Sequence, residues 1–303
     1  MIVFQRTIKN AVQCEGIGLH SGRNIAMAIK PAPADTGVVF LRSDQGGARI
    51  EAAAPNTAAT STATTLRKNG VSVQAVEHLL GAFAGLGISN AVVELSGDEV
   101  PTLDGSAGPF IRLIIEAGIR TQNKIQPVLK VTHPVVVRDE SGQLAVLPAE
   151  RTSISYFIGG DDPLLQEQGF HYTASESGFI GEVADARTFG FLSDLQARQA
   201  GGQARGGPPE NAAVPGPDPV LHTEGLRFRD EGMRHQVLDI IGDLSLVGMP
   251  VIGHVIAHQS GHRLNALMVN RLLHSSMHWV LVGDPDPAAL QREAAVRPEM
   301  VVI

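Results

Sequence analysis

The sequence predicts an α+β fold made of two units. Short apolar runs rich in β-branched residues alternate with Gly and Pro turns, which indicates strands. Segments with a helical apolar period lie between them, and the second half of the chain repeats this mixture. With 303 residues, the chain is long enough for one large domain or two ordinary ones. Near residue 123 the chain turns polar and then meets Pro127, so we expect an N-terminal α+β domain at 1–124 and a C-terminal α+β domain at 125–303.

The first half contains two predicted strands and two predicted helices. Residues 38–41 and 91–95 are apolar and rich in β-branched side chains, as strands are. Between them, residues 73–86 carry apolar side chains at a helical spacing, which predicts a helix. Residues 109–117 predict a second helix, which ends at Gly118.

The second half contains further strands and helices around a Gly-, Ala- and Pro-rich segment at 199–219. This composition predicts a loop or a loosely structured insertion rather than core. The predicted strands are 128–137, 153–158 and 251–257, and the predicted helices are 234–247 and 265–280.

Composition and charge limit the classes of function. Hydrophobic residues make up 43% of the chain and charged residues 18%, as in soluble globular proteins. The formal net charge of −7 argues against a nucleic-acid partner, which would need a concentrated basic surface. The single cysteine, Cys14, excludes an internal disulfide and a thiolate-rich zinc site, so any metal must be bound by His and carboxylate groups.

The first residues and the apolar runs also bear on location. Residues 1–10 lack a secretory signal, and no stretch reaches the roughly 18 apolar residues of a membrane span. We therefore expect a cytoplasmic protein without membrane insertion, and we expect it to be a monomer.

Three polar residues on one predicted helix are the strongest candidates for a metal site. His235, Asp239 and Asp243 recur every four residues, so they lie on one face of the helix. A solvated face is the ordinary explanation, but solvated faces usually interleave Lys or Arg with acids, and this one has no cation. We expect His235 and Asp239 to bind a divalent metal from successive turns. Asp243, one turn further along, is expected to lie next to these ligands without binding the metal itself.

A third ligand is expected from the neighbouring residues Glu77 and His78. On its predicted helix, His78 lies in line with Gly81 and Gly85. Because glycine is unfavourable inside a helix, two on one face indicate the close approach of another element. Glu77 points about 100° away from His78 around the helix and can reach a water molecule as a general base. The alternative is that Glu77 and His78 are ordinary surface residues without a catalytic role.

Other histidines are weaker candidates. His254, His258 and His262 recur every four residues, but the β-branched segment around them predicts a strand, with His262 at a turn just past its end. His274 and His278 have the spacing of some zinc sites, but no Glu follows His274, and we predict an ordinary helix face. The sequence has no Gly-x-Ser-x-Gly motif, so a serine hydrolase has little support.

An ordered set of motifs resembles one known protein family. The motifs are VEHLL at 76–80 with AGLGI at 84–88, EVP at 99–101 with LDGSAGPF at 103–110, RTFGF at 187–191, EGLRF at 224–228, RH at 234–235 with LD at 238–239 and IGDL at 241–244, and SGH at 260–262. Each motif alone is modest, but the ordered set is specific. Together they resemble the UDP-3-O-acyl-N-acetylglucosamine deacetylase family of lipid A biosynthesis over nearly the whole chain.

This resemblance implies a fold, a cofactor and a set of roles. It implies two similar sheet-plus-helices domains with the active site between them, and a UDP-linked acylated amino sugar as the substrate. It implies one Zn²⁺ bound by His78, His235 and Asp239, and hydrolysis of the acetamide with release of acetate. The other implied roles are Glu77 as the base for the attacking water, Thr188 as a donor to the oxyanion, His262 as the protonated acid for the leaving amine, Asp243 as the partner of His262, and Phe189 and Phe191 as the lining of the substrate passage.

Two features depart from the family pattern. The family usually has a lysine directly after the ligand histidine, where this chain has Gln236, so a charge-assisted contact with substrate is expected to weaken. Prolines lie at 208, 209, 215, 217 and 219, where family members tend to have an apolar strand, so that strand is expected to be altered or missing. Two alternatives therefore stay open: a related zinc deacetylase with a different N-acyl amino-sugar substrate, and a catalytically silent sugar-nucleotide-binding relative.

Overall fold

The computed structural model describes residues 3–58, 62–159, 168–188 and 225–283. Its strands, in chain order, are β1 (Phe4–Ile8), β2 (Val12–Ile17), β3 (Asn24–Pro31), β4 (Val38–Arg42), β5 (Ala48–Glu51), β6 (Leu66–Lys68), β7 (Val71–Val73), β8 (Ala91–Leu95), β9 (Ile119–Ile125), β10 (Val128–Val131), β11 (Val135–Arg138), β12 (Gln143–Leu147), β13 (Ser153–Ile158), β14 (Gln168–Thr173), β15 (Val251–Ile252), β16 (His254–His258) and β17 (Trp279–Val282). Its main helices are α1 (Glu77–Gly85), α2 (Gly108–Ala117), α3 (Glu231–Leu244) and α4 (His262–His274). A helical turn at Glu176–Gly178 continues into a π-helix at Phe179–Val183.

Two five-stranded sheets share one topology. In the N-terminal half the strand order is β2-β3-β8-β4-β5, and in the C-terminal half it is β11-β12-β16-β13-β14. In each sheet the central strand, β8 or β16, runs antiparallel to one neighbour and parallel to the other. One helix precedes that strand and another follows it: α1 and α2 around β8, and α3 and α4 around β16. The prediction of two similar α+β units is therefore confirmed, whereas the boundary between residues 124 and 125 stays a prediction.

Each sheet packs one face against the core, as the alternation of burial along its central strand shows. In β8 the side chains of Ala91, Val93 and Leu95 are buried, and in β16 those of Val255 and Ala257 are buried. Because side chains alternate between the two faces of a strand, the residues between them face outward. The helices α1 and α3 lie in equivalent places in the two units.

Helices α1 and α3 pack directly against each other through glycine. A Cβ atom on Gly81 would lie 2.6 Å from Cδ1 of Leu238, and one on Gly242 would overlap the backbone oxygen of Glu77. Glycine therefore permits an approach between the two helices that any larger side chain would prevent. The close approach predicted from Gly81 and Gly85 is confirmed, since a Cβ on Gly85 would overlap the ring of Phe179.

Gly242→Ala is expected to lower the free energy of unfolding by about 2–3 kcal/mol, because the added methyl group meets backbone that cannot move aside. Urea denaturation measures this change. Gly181→Ala is the matched control, since a Cβ there meets no described atom within 4 Å. Equal unfolding free energies for the two variants would contradict the close packing of α1 on α3.

The predicted helix 73–86 is wrong at its start. Residues Val71–Val73 form β7, which pairs with β6, and Ala75 has a φ of 55°, in the left-handed region. The helix therefore begins at Glu77, and Glu77 and His78 lie in its first turn. The predicted strands 38–41 and 91–95 and the predicted helix 109–117 are confirmed as β4, β8 and α2.

Two predicted strands of the C-terminal half are each divided in two. The predicted strand 128–137 becomes β10 and β11, because Pro134 between them cannot donate a hydrogen bond to a ladder. The predicted strand 251–257 becomes β15 and β16, which lie in different sheets on either side of Gly253. The predicted strand 153–158 is confirmed as β13.

The two predicted helices of the C-terminal half have different ends from those expected. The helix predicted at 234–247 starts three residues earlier, as α3, and its last turn is a 3₁₀-helix at Ser245–Val247. The helix predicted at 265–280 is α4, which ends at His274. After a 3₁₀ turn at Ser276–His278, the chain forms β17, which pairs with β10. The ring of Trp279 donates a hydrogen bond back to Leu272, which fixes this return.

The predicted loop at 199–219 lies outside the described residues. Within the described ranges, no helix is both long and apolar enough to cross a membrane.

Candidate metal centre and active site

The candidate site lies where α1, α3 and the start of α4 meet. Its side chains come from the first turn of α1, one face of α3 and the first residue of α4. They are Glu77, His78, His235, Asp239, Asp243 and His262. On α3, His235, Asp239 and Asp243 are only 2%, 3% and 1% exposed, so the alternative of a solvated helix face is wrong.

Two histidines and one aspartate bring their donor atoms together. The ligand atoms of His78, His235 and Asp239 all lie within 4.8 Å of one another. Nε2 of His78 lies 3.4 Å from Oδ1 of Asp239, and Nε2 of His235 lies 3.6 Å from Oδ2. Two imidazoles and one carboxylate are the donor set of many catalytic metal sites, which keep a further position for water or substrate.

The surroundings of Asp239 fit a bound cation. Its Oδ1 atom is buried and accepts no hydrogen bond from any described residue. Burial works against ionisation, but the neighbouring imidazoles of His235 and His262 hold the pKa of Asp239 below its ordinary value. A buried, ionised carboxylate with an unsatisfied oxygen is costly unless a cation or donor balances it. The donor set therefore fits a divalent metal.

His235 is oriented as a metal ligand by a backbone carbonyl. Its Nδ1 lies 3.0 Å from the oxygen of Ala186, and because a carbonyl only accepts, Nδ1 carries the hydrogen. The lone pair is then on Nε2, on the side of Asp239. Burial lowers the pKa of His235 to about 4, so the ring is neutral, as a ligand must be.

Glu77 lies beside this donor set and is held through one of its two oxygens. Oε2 accepts a hydrogen bond from the backbone nitrogen of Thr64 at 3.0 Å, and Oε1 lies 3.8 Å from Nε2 of His262. The side chain is buried, and this burial raises the pKa of Glu77. A carboxylate whose pKa is raised towards neutral is a better general base.

His262 lies close to both Glu77 and Asp239, at the first position of α4 rather than at the predicted turn. Its Nδ1 donates to Oδ2 of Asp243 at 2.9 Å, and its Nε2 lies 3.9 Å from Oδ2 of Asp239. Burial disfavours the charged ring, but the carboxylates of Asp243, Asp239 and Glu77 hold the pKa of His262 well above its ordinary value. These carboxylates therefore favour the protonated form of the ring.

Two residues of this cluster escape the sequence-based reasoning. Thr64 donates its hydroxyl to Oδ1 of Asp243 at 2.5 Å, and Asn265 donates its side-chain amide to Oδ2 at 2.9 Å. Thr64 lies in a run of Thr, Ser and Ala that has no clear period, so no pattern indicates it. Asn265 lies one turn after His262 on α4, and that spacing could have indicated it.

The backbone next to Thr188 is tied to α3 and to the turn at Gly105. The Arg187 side chain donates to the buried carboxylate of Glu231, with Nε 2.7 Å from Oε1. The Thr188 nitrogen donates to the Gly105 oxygen at 2.7 Å, and the Ala186 oxygen accepts from His235. Thr188 is half-buried, and its role as an oxyanion donor stays a prediction.

The remaining candidates lie elsewhere or outside the described ranges. Gln236 is half-buried on α3 next to His235, whereas Phe189 and Phe191 lie outside the described residues. His254 and His258 lie on β16, which confirms the predicted strand, and Nε2 of His254 is 2.9 Å from the hydroxyl of Ser155. His274 ends α4, with its Nδ1 2.7 Å from the oxygen of Asn270, whereas His278 lies in a 3₁₀ turn rather than on a helix face.

Comparisons with known proteins identify the family. The family model described as UDP-3-O-acyl N-acetylglycosamine deacetylase (LpxC) matches residues 5–274. A UDP-3-O-acyl-N-acetylglucosamine deacetylase of Syntrophus aciditrophicus is 41% identical over 277 residues, which cover 91% of this chain and 88% of the relative. Deacetylases of the same name from Saccharophagus degradans and Myxococcus xanthus are 41% and 44% identical, and the matches cover 94% and 89% of this chain and 95% and 86% of the relatives. The chain belongs to the UDP-3-O-acyl N-acetylglycosamine deacetylase family.

Proposed function

We propose that the chain is a zinc-dependent hydrolase that removes the acetyl group of UDP-3-O-acyl-N-acetylglucosamine in lipid A biosynthesis. Membership of the family supports the reaction and the substrate. The observation that best supports this reaction is the geometry of the site. The possible ligands His78, His235 and Asp239 lie close together, and the base Glu77 and the charged His262 lie next to them.

Zinc is the metal that this donor set fits best. Two histidines and one carboxylate leave room for water or substrate, which is the usual arrangement of catalytic zinc. Cys14 lies on β2, outside the cluster, so the ligands contain no sulfur. When bound, zinc supplies Lewis acidity, which polarises a carbonyl and lowers the pKa of water towards about 7.

Glu77 is the group that removes a proton from the attacking water. The contact from the Thr64 nitrogen occupies Oε2, which leaves Oε1 as the oxygen on the side of His262. As water adds to the acetamide carbon, the carbonyl oxygen gains negative charge, and Thr188 is the proposed donor to that oxygen.

His262 is the acid that completes the reaction. The bond between the carbonyl carbon and nitrogen breaks as His262 delivers a proton to the leaving amine, so acetate and the free amino sugar form. The carboxylate of Asp243, 2.9 Å from Nδ1, supports the charged ring and directs Nε2 towards the reacting groups.

Phe189, Phe191 and Gln236 are the proposed contacts with the substrate. Gln236→Lys restores the positive charge that the family usually has at this position, and we expect an approximately tenfold lower KM for the UDP-linked substrate with little change in kcat. Steady-state kinetics measures both constants. Gln143→Lys, which adds the same charge at an exposed position of β12, is the control and is expected to leave KM unchanged. An unchanged KM in Gln236→Lys would mean that this position does not face phosphate.

The alternative of a different N-acyl amino-sugar substrate rests on Gln236 and on the prolines between 208 and 219, which lie outside the described residues. Mass spectrometry of acetate and amine formation separates the possibilities. We expect the UDP-3-O-acylated substrate to react and UDP-N-acetylglucosamine without the acyl chain to react far more slowly. Equal rates for the two substrates would favour the alternative, and tight binding without turnover of either would favour a catalytically silent relative.

The proposed setting is a cytoplasmic monomer that binds a UDP-linked acylated amino sugar and no nucleic acid. The net charge of −7 supports the absence of a nucleic-acid surface. Size-exclusion chromatography with light scattering tests the oligomeric state.

A further inference from the structure

Thr64 lies where the base, the acid and its carboxylate partner meet. It is 1% exposed and precedes β6, far in sequence from α3 and α4. Its backbone nitrogen donates to Oε2 of Glu77 at 3.0 Å. Its hydroxyl donates to Oδ1 of Asp243 at 2.5 Å and lies 3.4 Å from Nδ1 of His262. One small residue therefore contacts all three groups.

The hydroxyl determines which oxygen of Asp243 faces His262. Oδ1 accepts from Thr64, whereas Oδ2 accepts from His262 and from Asn265. Without the hydroxyl, both remaining donors contact Oδ2, and the hydrogen bond at Oδ1 that resists rotation of the carboxylate about its Cβ–Cγ bond is lost. Such a turn would carry Oδ2 out of line with the His262 ring.

The backbone contact has a parallel effect on Glu77. Because the Thr64 nitrogen occupies Oε2, the carboxylate presents Oε1 towards Nε2 of His262, 3.8 Å away. The same residue therefore sets the facing atoms of the base and of the acid, which come from α1 and α4.

We propose that Thr64 is a positioning residue of the deacetylation reaction, which aligns Glu77 and the Asp243–His262 pair with each other. The proposal rests on the proposed function of Glu77 and His262. Thr64 acts through these groups and takes no part in bond making or breaking.

Thr64→Val tests the hydroxyl, because valine keeps the shape and the backbone nitrogen while removing the donor. We expect kcat to fall roughly 10- to 100-fold, the range for loss of an outer partner of a catalytic group, with KM and metal content unchanged. Thr64→Ser keeps the hydroxyl and is expected to recover most of kcat. Thr7→Val is the matched control: Thr7 is equally buried on β1 and its hydroxyl accepts from the Ala32 nitrogen, so kcat is expected to stay at the wild-type value.

A double-mutant cycle shows whether Thr64 acts through Asp243. In an Asp243→Asn background, Thr64→Val is expected to cause little further loss of kcat, because Asp243→Asn already removes the carboxylate through which Thr64 acts. The full loss in both backgrounds would overturn the proposal, as would a wild-type kcat in Thr64→Val. A kcat in Thr64→Ser as low as that of Thr64→Val would overturn it as well.

Hydrogen exchange measured by NMR spectroscopy tests the positioning role of Thr64 without turnover. The Nδ1 hydrogen of His262, assigned by its loss in His262→Gln, is expected to exchange slowly in the wild type and in Thr64→Ser, and faster in Thr64→Val. Equal exchange in all three would contradict the positioning role. Failure of the wild-type protein to deacetylate the substrate would instead overturn the proposed function, and the exchange rates would still decide the role of Thr64.

Discussion

Asp239→Ala is expected to remove the metal and the activity together. The Asp239 carboxylate supplies one of the three donor groups. Its Oδ1 is buried and accepts no hydrogen bond from any described residue, so no hydrogen bond offsets the cost of burying that oxygen. We expect the purified variant to contain almost no zinc and to lose at least about a thousandfold in kcat/KM, since metal ions contribute several kcal/mol of transition-state stabilisation. Elemental analysis and steady-state kinetics measure the two losses.

The control for this variant is Asp230→Ala. Asp230 lies just before the same helix and pairs with Arg234, outside the donor set. It is expected to keep a full complement of metal and near wild-type kinetics. Retention of stoichiometric zinc by Asp239→Ala would show that the metal is bound elsewhere.

Glu77→Gln is expected to separate metal binding from catalysis. Glutamine keeps the size of the side chain and can still accept the hydrogen bond from Thr64, but it cannot take a proton from water. We expect a normal zinc content with a loss of roughly 10²- to 10⁴-fold in kcat, the usual contribution of a general base. Metal analysis and initial rates on the same preparation measure both.

Glu94→Gln is the matched substitution for Glu77→Gln. Glu94 pairs with Lys30 across two strands of the N-terminal sheet, outside the catalytic cluster. Its kcat is expected to equal that of the wild type. If Glu77→Gln also turned over at the wild-type rate, another group would have to be the base.

The residues of the candidate metal site could be selected from sequence because they follow helical spacing. His235 and Asp239 are one turn apart on a helix face that carries no Lys or Arg, and Gly81 and Gly85, in line with His78, indicate the close approach of another element. In the structure, Gly81 is approached by Leu238 of α3, and Gly85 is approached by the ring of Phe179.

Contacts between distant segments could not be predicted in this way. Thr64 and Asp243 are 179 residues apart, and neither composition nor period links them. Asn265 has a signal only once His262 is known to begin a helix, whereas the sequence predicts a turn there.

Element ends were harder to predict than element types. Apolar spacing alone extends the first helix back to Val73, because it does not register the left-handed φ of Ala75. The segment after α4 is similarly apolar, but it forms β17 because the partner strand β10 provides a hydrogen-bonding edge. In both cases tertiary context overrides the local pattern.

Metal-dependent deacetylation is the central claim, and chelation tests it most directly. We would assay acetate release from UDP-3-O-acyl-N-acetylglucosamine before chelation, after removal of metal by a chelator, and after adding back one equivalent of Zn²⁺. We predict about one zinc per chain in the active protein, loss of turnover on its removal, and recovery on its return. Turnover that persists in metal-free protein, or an absence of turnover in protein that contains its zinc, would contradict the claim.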